Sequence, residues 1–264
     1  MSTQPHPGIR VDHDGPVTTV TLSNPDQLNA QTPSLWAALA AIAHGLPEST
    51  RVVVLRAEGR AFSAGLNRSL LRPGGMPGEP DMIAAAAQSP AAMTALIAPF
   101  QEGFAAWRRI TPVVVAAVQG HAIGAGFQLA LAADLRIVAD DVALSMKEIA
   151  LGLIPDLGGT ATLVHTVGYA RALELCATAR VVGAAEAVAI GLATAAVPRA
   201  DLDAATADLV GALLAASPAA LSALKPLLRQ ALTSTPDEQL AHERAAQGFL
   251  LHGMARGVGS PSAG

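Results

Sequence analysis

A single cysteine, Cys176, stands in 264 residues, which excludes an internal disulfide and suits a reducing, cytoplasmic setting. Histidines are scattered at positions 6, 13, 44, 121, 165, 242 and 252. No His/Cys set among them has metal-ligand spacing, so no metal site is expected. Basic blocks with interleaved aromatics are also missing, and the net charge is −4, which argues against a nucleic-acid binder. Long apolar runs are absent too. Hydrophobic residues make up 51%, but the excess is alanine, and the most apolar stretch, residues 112–133, is broken by Gln119, Gly120, His121, Gly124, Gly126 and Gln128. A membrane-spanning helix needs about 20 nearly uninterrupted apolar residues, so none is expected. The opening MSTQPHPGIRVDHDG has neither the charged nor the apolar region of a signal peptide, and none is expected.

Strand-like and helix-like segments alternate instead. VTTVTL at Val17–Leu22 alternates apolar and Thr and stops at a Ser-Asn-Pro turn signal. Thr32-Pro33 then opens a predicted helix to residue 43, with Thr as N-cap and Pro in the first turn. Further strands are predicted at 52–56, 113–118 and 135–138, and further helices at 100–109 and 127–132, with residues 120–126 as a glycine-rich turn. This order implies an α/β fold with largely parallel strands. Beyond residue 168 the pattern is helical, at 170–178, 184–190, 202–216, 219–231 and 236–251, and GVGSPSAG at the end reads as disordered. Residues 82–98, rich in Ala and Met, read as ordinary core helix, with an adaptable pocket lining as the other reading.

Two turns carry the chemical interest: AFSAGLN at 61–67 and GHAIGAG at 120–126, each after an apolar strand. Small residues let main chain approach a ligand, and N–H groups at a turn opening a helix carry positive dipole character. Two such groups converging on one point would form an oxyanion hole. Taken singly, tight glycine turns are mostly structural. A dinucleotide fingerprint fails because Leu129 fills the third glycine position, and Ser63 lacks the Gly-x-Ser-x-Gly elbow of a hydrolase. Among the acids, Glu148 and Asp156 flank the apolar stretch IALGLIP. An apolar setting raises a carboxyl pKa toward neutrality, where acid/base catalysis is effective. The bland readings are a surface Glu148 paired with Lys147 and a capping Asp156. Asp134 reads as a structural hydrogen-bond acceptor.

In order and approximate spacing, residues 24–30 (NPDQLNA), 61–67, 111–137 (TPVVVAAVQGHAIGAGFQLALAADLRI), 147–160 (KEIALGLIPDLGGT), 167–175 and 187–198 resemble the enoyl-CoA hydratase/isomerase (crotonase) superfamily. The resemblance runs from about residue 11 to 231. It implies an α/β spiral of ββα repeats over residues 1–198 and a helical region, 199–264, used for trimer formation, giving a homotrimer or a dimer of trimers. It also implies an acyl-CoA thioester substrate, with coenzyme A carried by the substrate and no resident cofactor. The oxyanion donors carried over are the main-chain N–H groups of Leu66 and Ala125. Gln27, Leu28, Ala64, Gly65 and Gly124 fall along the CoA ester, and Lys225 and Phe249 are the C-terminal candidates for holding CoA.

The acids depart from the family's two-glutamate hydratase pattern. Gln128 stands where the first glutamate is found, and Glu148 matches the second. Gln128 cannot deprotonate water, although its amide can orient a water or a substrate group. Asp156 stands where some double-bond isomerases of the family place an aspartate. The leading expectation is therefore double-bond isomerisation through a thioester enolate, with Glu148 as the proton carrier, Asp156 assisting and Gln128 orienting. Hydration of 2-enoyl-CoA by Glu148 alone, and non-catalytic acyl-CoA binding, stay open.

Overall fold

The structure, a computed structural model, describes residues 2–257. The chain begins with three strands, β1 (Ser2–His6), β2 (Ile9–Asp14) and β3 (Val17–Leu22), followed by helix α1 (Pro33–His44) and β4 (Val52–Ala57). Helices α2 (Met82–Gln88) and α3 (Pro90–Arg109) lead to β5 (Val113–Val118), β6 (His121–Ile123) and α4 (Ala125–Ala132). Then come β7 (Leu135–Ala139), β8 (Ala143–Ser145), α5 (Gly159–Val167), α6 (Tyr169–Thr178), α7 (Ala184–Ala189) and β9 (Ala195–Val197). The chain closes with α8 (Leu202–Ala215), α9 (Pro218–Gln230) and α10 (Pro236–Ala255). The 257–264 tail read as disordered lies, apart from Gly257, outside the described residues.

The main sheet runs β1-β2-β3-β4-β5-β7-β9, antiparallel in its first three strands and parallel from β3 onward. A second, two-stranded parallel sheet pairs β6 with β8. The chain therefore visits the main sheet, the small sheet and a helix in turn, as β5-β6-α4 and then β7-β8-α5. A bridge between Ser63 and Ala122 sets an earlier segment beside β6 in the same way. This is the expected ββα spiral. The glycine turn predicted at 120–126 is interrupted by β6 itself, because Gly120 and Gly124 supply the two sharp bends, at φ +53° each, and leave three residues extended between them.

Parallel strands covered on both faces read as unbroken apolar runs, which is why VVVL at 52–55 and VVVAAV at 113–118 are buried throughout. One face packs on α1, α3 and α4. Trp36 meets Phe100 and Phe104 with ring centroids 5.3 and 5.8 Å apart, and Gly103 lets the two helices close, since a Cβ there would lie 2.6 Å from the Trp36 carbonyl. Such aromatics each contribute about 1.5–3 kcal/mol on burial. Every residue of α4 is buried, as befits a helix apolar all round. The other face is covered by α8 through Val52, Val54, Val115 and Val210.

Residues 82–98 do not form the core helix expected of them. Pro90 disfavours helical backbone at the residue before it, and Ser89, extended at φ −172°, ends α2 and caps α3 through its side chain. No residue of α2 is buried, and α3 becomes buried only from Phe100 onward.

Lys225 on α9 is structural. Its ammonium sits 2.7 Å from the Asp134 carboxylate and donates to the carbonyls of Trp107 (3.2 Å) and Pro112 (2.8 Å). Asp134 also accepts from Val114 N–H at 2.8 Å, the structural acceptor role read from the sequence. Arg136 is spent on main-chain carbonyls, at 2.6 Å from Leu192 and 2.7 Å from Ala133, and its burial pulls its pKa down to about 10. Phe249, by contrast, lies open on α10 at 75% exposure.

Candidate active site

The two small-residue turns meet. Ser63 N–H donates to the His121 carbonyl at 2.9 Å, and Ile123 N–H returns a bond to the Ser63 carbonyl at 3.0 Å. Gly65 faces Ile123 and Gly126 faces Ser63 so closely that a Cβ on either would collide with the opposing carbonyl. Glycine is therefore required at both places, and at Gly65 a φ of +85° adds a second reason. Gly124, at φ +53° and ψ −119°, opens α4 without a side-chain cap, so the first N–H groups of α4, Ala125 among them, face outward.

Neither Leu66 N–H nor Ala125 N–H donates to another group of the described residues, although both neighbours of Leu66 are engaged. Gln31 N–H donates to the Gly65 carbonyl and the Gln31 carbonyl accepts from Asn67 N–H, both at 2.8 Å. Leu28 is drawn to the same turn, its carbonyl accepting from Ala64 N–H at 2.9 Å. Leu28 and Asn29 are left-handed, at φ +51° and +52°. Gln27 and Ala64 are exposed beside this junction. The structure thus brings Leu28, Ala64, Gly65, Leu66, Gly124 and Ala125 into one place.

Glu148 stands over that place. Its carboxylate would lie 3.4 Å from a Cβ on Gly124. It is half-buried, and its partner is Gln128 rather than Lys147: Gln128 Nε2 donates to Glu148 Oε1 at 2.7 Å. The other oxygen, Oε2, is buried without a partner among the described residues. Burial pushes the Glu148 carboxyl above the usual carboxylate range, against the opposing bonds from its own main-chain N–H and from Gln128, and the charge of Asp156 pushes the same way as burial. Asp156 is itself half-buried and raised by burial, and its main-chain carbonyl accepts from Gln101 at 2.7 Å.

Gln128, expected to orient a water or a substrate group, has both ends of its amide bonded within the protein. It is 1% exposed, and its Oε1 accepts from Leu157 N–H at 2.9 Å and Gly159 N–H at 3.2 Å. Those two donors fix which end of the amide is oxygen, and so aim Nε2 at Glu148. Sequence reasoning also passed over Cys176 on α6, whose thiol is raised by burial and by the charge of Glu148. Nothing local in LELCAT signals that proximity.

A desolvated carboxylate oxygen without a partner among the described residues, close to two untaken main-chain donors on a ββα spiral, is an arrangement that can take up a proton and hold an oxyanion. Residues 12–256 match the enoyl-CoA hydratase/isomerase family. A probable enoyl-CoA hydratase of Rhodobacter capsulatus is 33% identical over 92% of this chain and 89% of its own. The carnitinyl-CoA dehydratase of Escherichia coli K12 is 37% identical over 53% of this chain and 52% of its own. Among solved structures, a putative enoyl-CoA hydratase of Thermobifida fusca in complex with acetoacetyl-CoA superposes with a TM-score of 0.89. The two are 48% identical over 93% of this chain and 95% of that one. The chain belongs to the enoyl-CoA hydratase/isomerase family, and it is an acyl-CoA-processing enzyme of that type. The family match takes in α10, beyond the stretch over which the sequence resemblance was drawn.

Proposed function

We propose that this enzyme shifts the double bond of a 3-enoyl-CoA to the 2-position, with Glu148 as the only proton carrier. The observation that carries the reading is the unpartnered Glu148 Oε2 beside two untaken N–H groups. The thioester oxygen sits between Leu66 N–H and Ala125 N–H. Glu148 Oε2 takes a proton from C2, and the C2–H electron pair moves toward the thioester oxygen as a dienolate. The same carboxyl then returns the proton at C4, leaving the double bond between C2 and C3. Each oxyanion donor is worth about 3–4 kcal/mol in comparable sites. The Glu148 pKa, raised by burial, suits both halves of the step, because it makes the carboxylate a stronger base toward C2 and leaves the carboxyl able to return the proton at C4.

Hydration fits less well. A water-adding pair needs a second group able to accept a proton from water, and the Gln128 carbonyl is already taken by two N–H groups. Asp156 assists through its charge, which keeps Glu148 protonatable.

The CoA nucleotide and pantetheine run along residues 26–28 and Ala64, as the bound acetoacetyl-CoA and CoA of the Thermobifida relatives support for the substrate class. A homotrimer or dimer of trimers in the cytoplasm completes the proposal, with residues 1–198 as the spiral core and 199–264 as the assembly region. Apolar Leu224, Leu228 and Leu232 exposed on and just after α9, and Leu240, Phe249 and Leu251 on α10, support the assembly.

A panel of 2-enoyl- and 3-enoyl-CoA thioesters, with products identified by mass and NMR, tests the reading. The expected result is a shifted double bond from 3-enoyl-CoA and little or no water added to 2-enoyl-CoA. Rapid hydration of 2-enoyl-CoA would replace it with the hydratase reading, and binding without turnover across the panel would leave only a carrier of acyl-CoA.

A further inference from the structure

The turn that carries the Leu66 donor is braced by a buried hydroxyl, that of Ser63, which accepts from Gly65 N–H. Ser63 is fully buried, and its Oγ makes three bonds. It donates to the Asn29 carbonyl at 2.7 Å, and accepts from Gln31 Nε2 at 3.0 Å and from Gly65 N–H at 3.1 Å. A hydroxyl has one proton and two lone pairs, so these three bonds use it completely and fix the direction of each. The same accounting removes Ser63 as a nucleophile: its proton is committed to a carbonyl.

The far end of the chain of bonds is equally fixed. Gln31 Oε1 accepts from Trp36 Nε1 at 2.8 Å, which orients the Gln31 amide, and Trp36 is held in the core by Phe100 and Phe104. Gln31 also grips the main chain on both sides of Leu66, through the Gly65 carbonyl and Asn67 N–H. Leu66 N–H is thus left free at the centre of a fully paired frame. Buried networks in which every member is satisfied are rigid, and a single deletion leaves several groups unpaired at once.

We infer that Ser63 is a positioning residue: through Gly65 and Gln31 it aims the Leu66 N–H at the substrate oxygen, so the Trp36–Gln31–Ser63 chain sets the strength of the oxyanion hole rather than merely the stability of the fold. This rests on the proposed role of Leu66, and the test separates the two. An oxyanion donor is worth its full value only at the position where charge develops, and a displacement of about 1 Å can cost roughly 100-fold in rate.

The probe is acetoacetyl-CoA, whose enolate absorbs differently from its keto form, so that the enolate fraction of the bound thioester reports donor alignment without turnover. The parent enzyme is expected to raise that fraction; if it does not, the oxyanion role of Leu66 fails. With the parent behaving as expected, Ser63→Ala should lower the bound enolate about tenfold or more and kcat on 3-enoyl-CoA by about 10–100-fold. Its affinity for free CoA should stay within about twofold of the parent's, because the CoA body does not use this donor. Parent-level enolisation in Ser63→Ala, or a loss of CoA affinity as large as the loss of enolate, would overturn the inference. Should Ser63→Ala fail to fold, Ser63→Cys decides: a thiol is a poor acceptor that needs longer bonds, so the folded variant should also lose enolate, and parent-level enolate in it would likewise overturn the inference.

Discussion

The two sides of the site are built on opposite rules. On the donor side every polar atom of the Asn29–Gln31–Ser63–Trp36 frame has a partner, while the Leu66 N–H that the frame surrounds has none among the described residues. On the acid side a buried carboxylate oxygen has no partner among the described residues, and two desolvated carboxyls, Glu148 and Asp156, stand near enough for one to raise the other. The first side spends its hydrogen bonds on geometry. The second keeps one unspent, at a cost in stability, so that a proton can be held there. Gln128 joins the two rules, because its own amide is held by Leu157 and Gly159 while it ties down only one Glu148 oxygen.

The contrast breaks hardest at the seam between the turns. Gly126→Ala places a methyl against Ser63, 2.8 Å from its Cβ and in collision with its carbonyl. Overpacking of this kind costs about 1–3 kcal/mol or more, and parting the turns removes the donor pair. Activity is expected to fall below detection in protein that still melts cooperatively, as steady-state kinetics and calorimetry would show.

Gln128→Leu comes next. It frees Glu148 Oε1 and leaves the N–H groups of Leu157 and Gly159 unpaired, a loss of about 1–3 kcal/mol for each buried group. Denaturant unfolding should register that loss, and kcat should fall more than CoA-ester affinity. A fully stable, fully active variant would mean that Glu148 needs no tether.

Stability against pH sharpens the comparison further. Burial raises the folded pKa of Glu148 and Asp156 above the unfolded values, so folding is favoured most below the unfolded pKa and loses that favour as pH rises through the folded one. The parent's Tm should therefore decline over that rise. Glu148→Gln should decline less, with the gap between the two closing in acid. Superimposable Tm profiles would show that the carboxylate is not held at a cost. The smallest effect belongs to Asp156→Asn, which removes a neighbouring negative charge and so moves the acid limb of kcat/KM to lower pH with a modest change in maximum rate.

Much of the donor side could be read in the residues. AFSAGLN and GHAIGAG announce close main-chain approach, and the apolar runs before them announce buried parallel strands. Glu148 was legible through its motif, although its periodicity alone left it a surface residue. What escaped depends on contacts distant in sequence. β6, β8 and β9 have three residues each, too few to show a period. β1 is exposed along almost its whole length, and β2 carries His13 on the face of Ile9 and Val11, so neither strand shows a complete apolar alternation. The tether role of Gln128 needs N–H groups about thirty residues away, and the supporting role of Ser63 needs a glutamine and a tryptophan on the other side of a helix start. No local pattern carries either.

The central claim is that one oxygen of Glu148 moves the proton while the donor side holds the charge. Glu148→Gln keeps the shape and the Gln128 contact but cannot carry a proton between carbons, and general acid/base catalysis contributes about 100- to 10,000-fold. Single-turnover conversion of 3-enoyl-CoA by this variant, measured beside its affinity for the same thioester, is the most direct test. The account predicts a fall in rate of that order with affinity nearly unchanged; conversion at the parent's rate would contradict it.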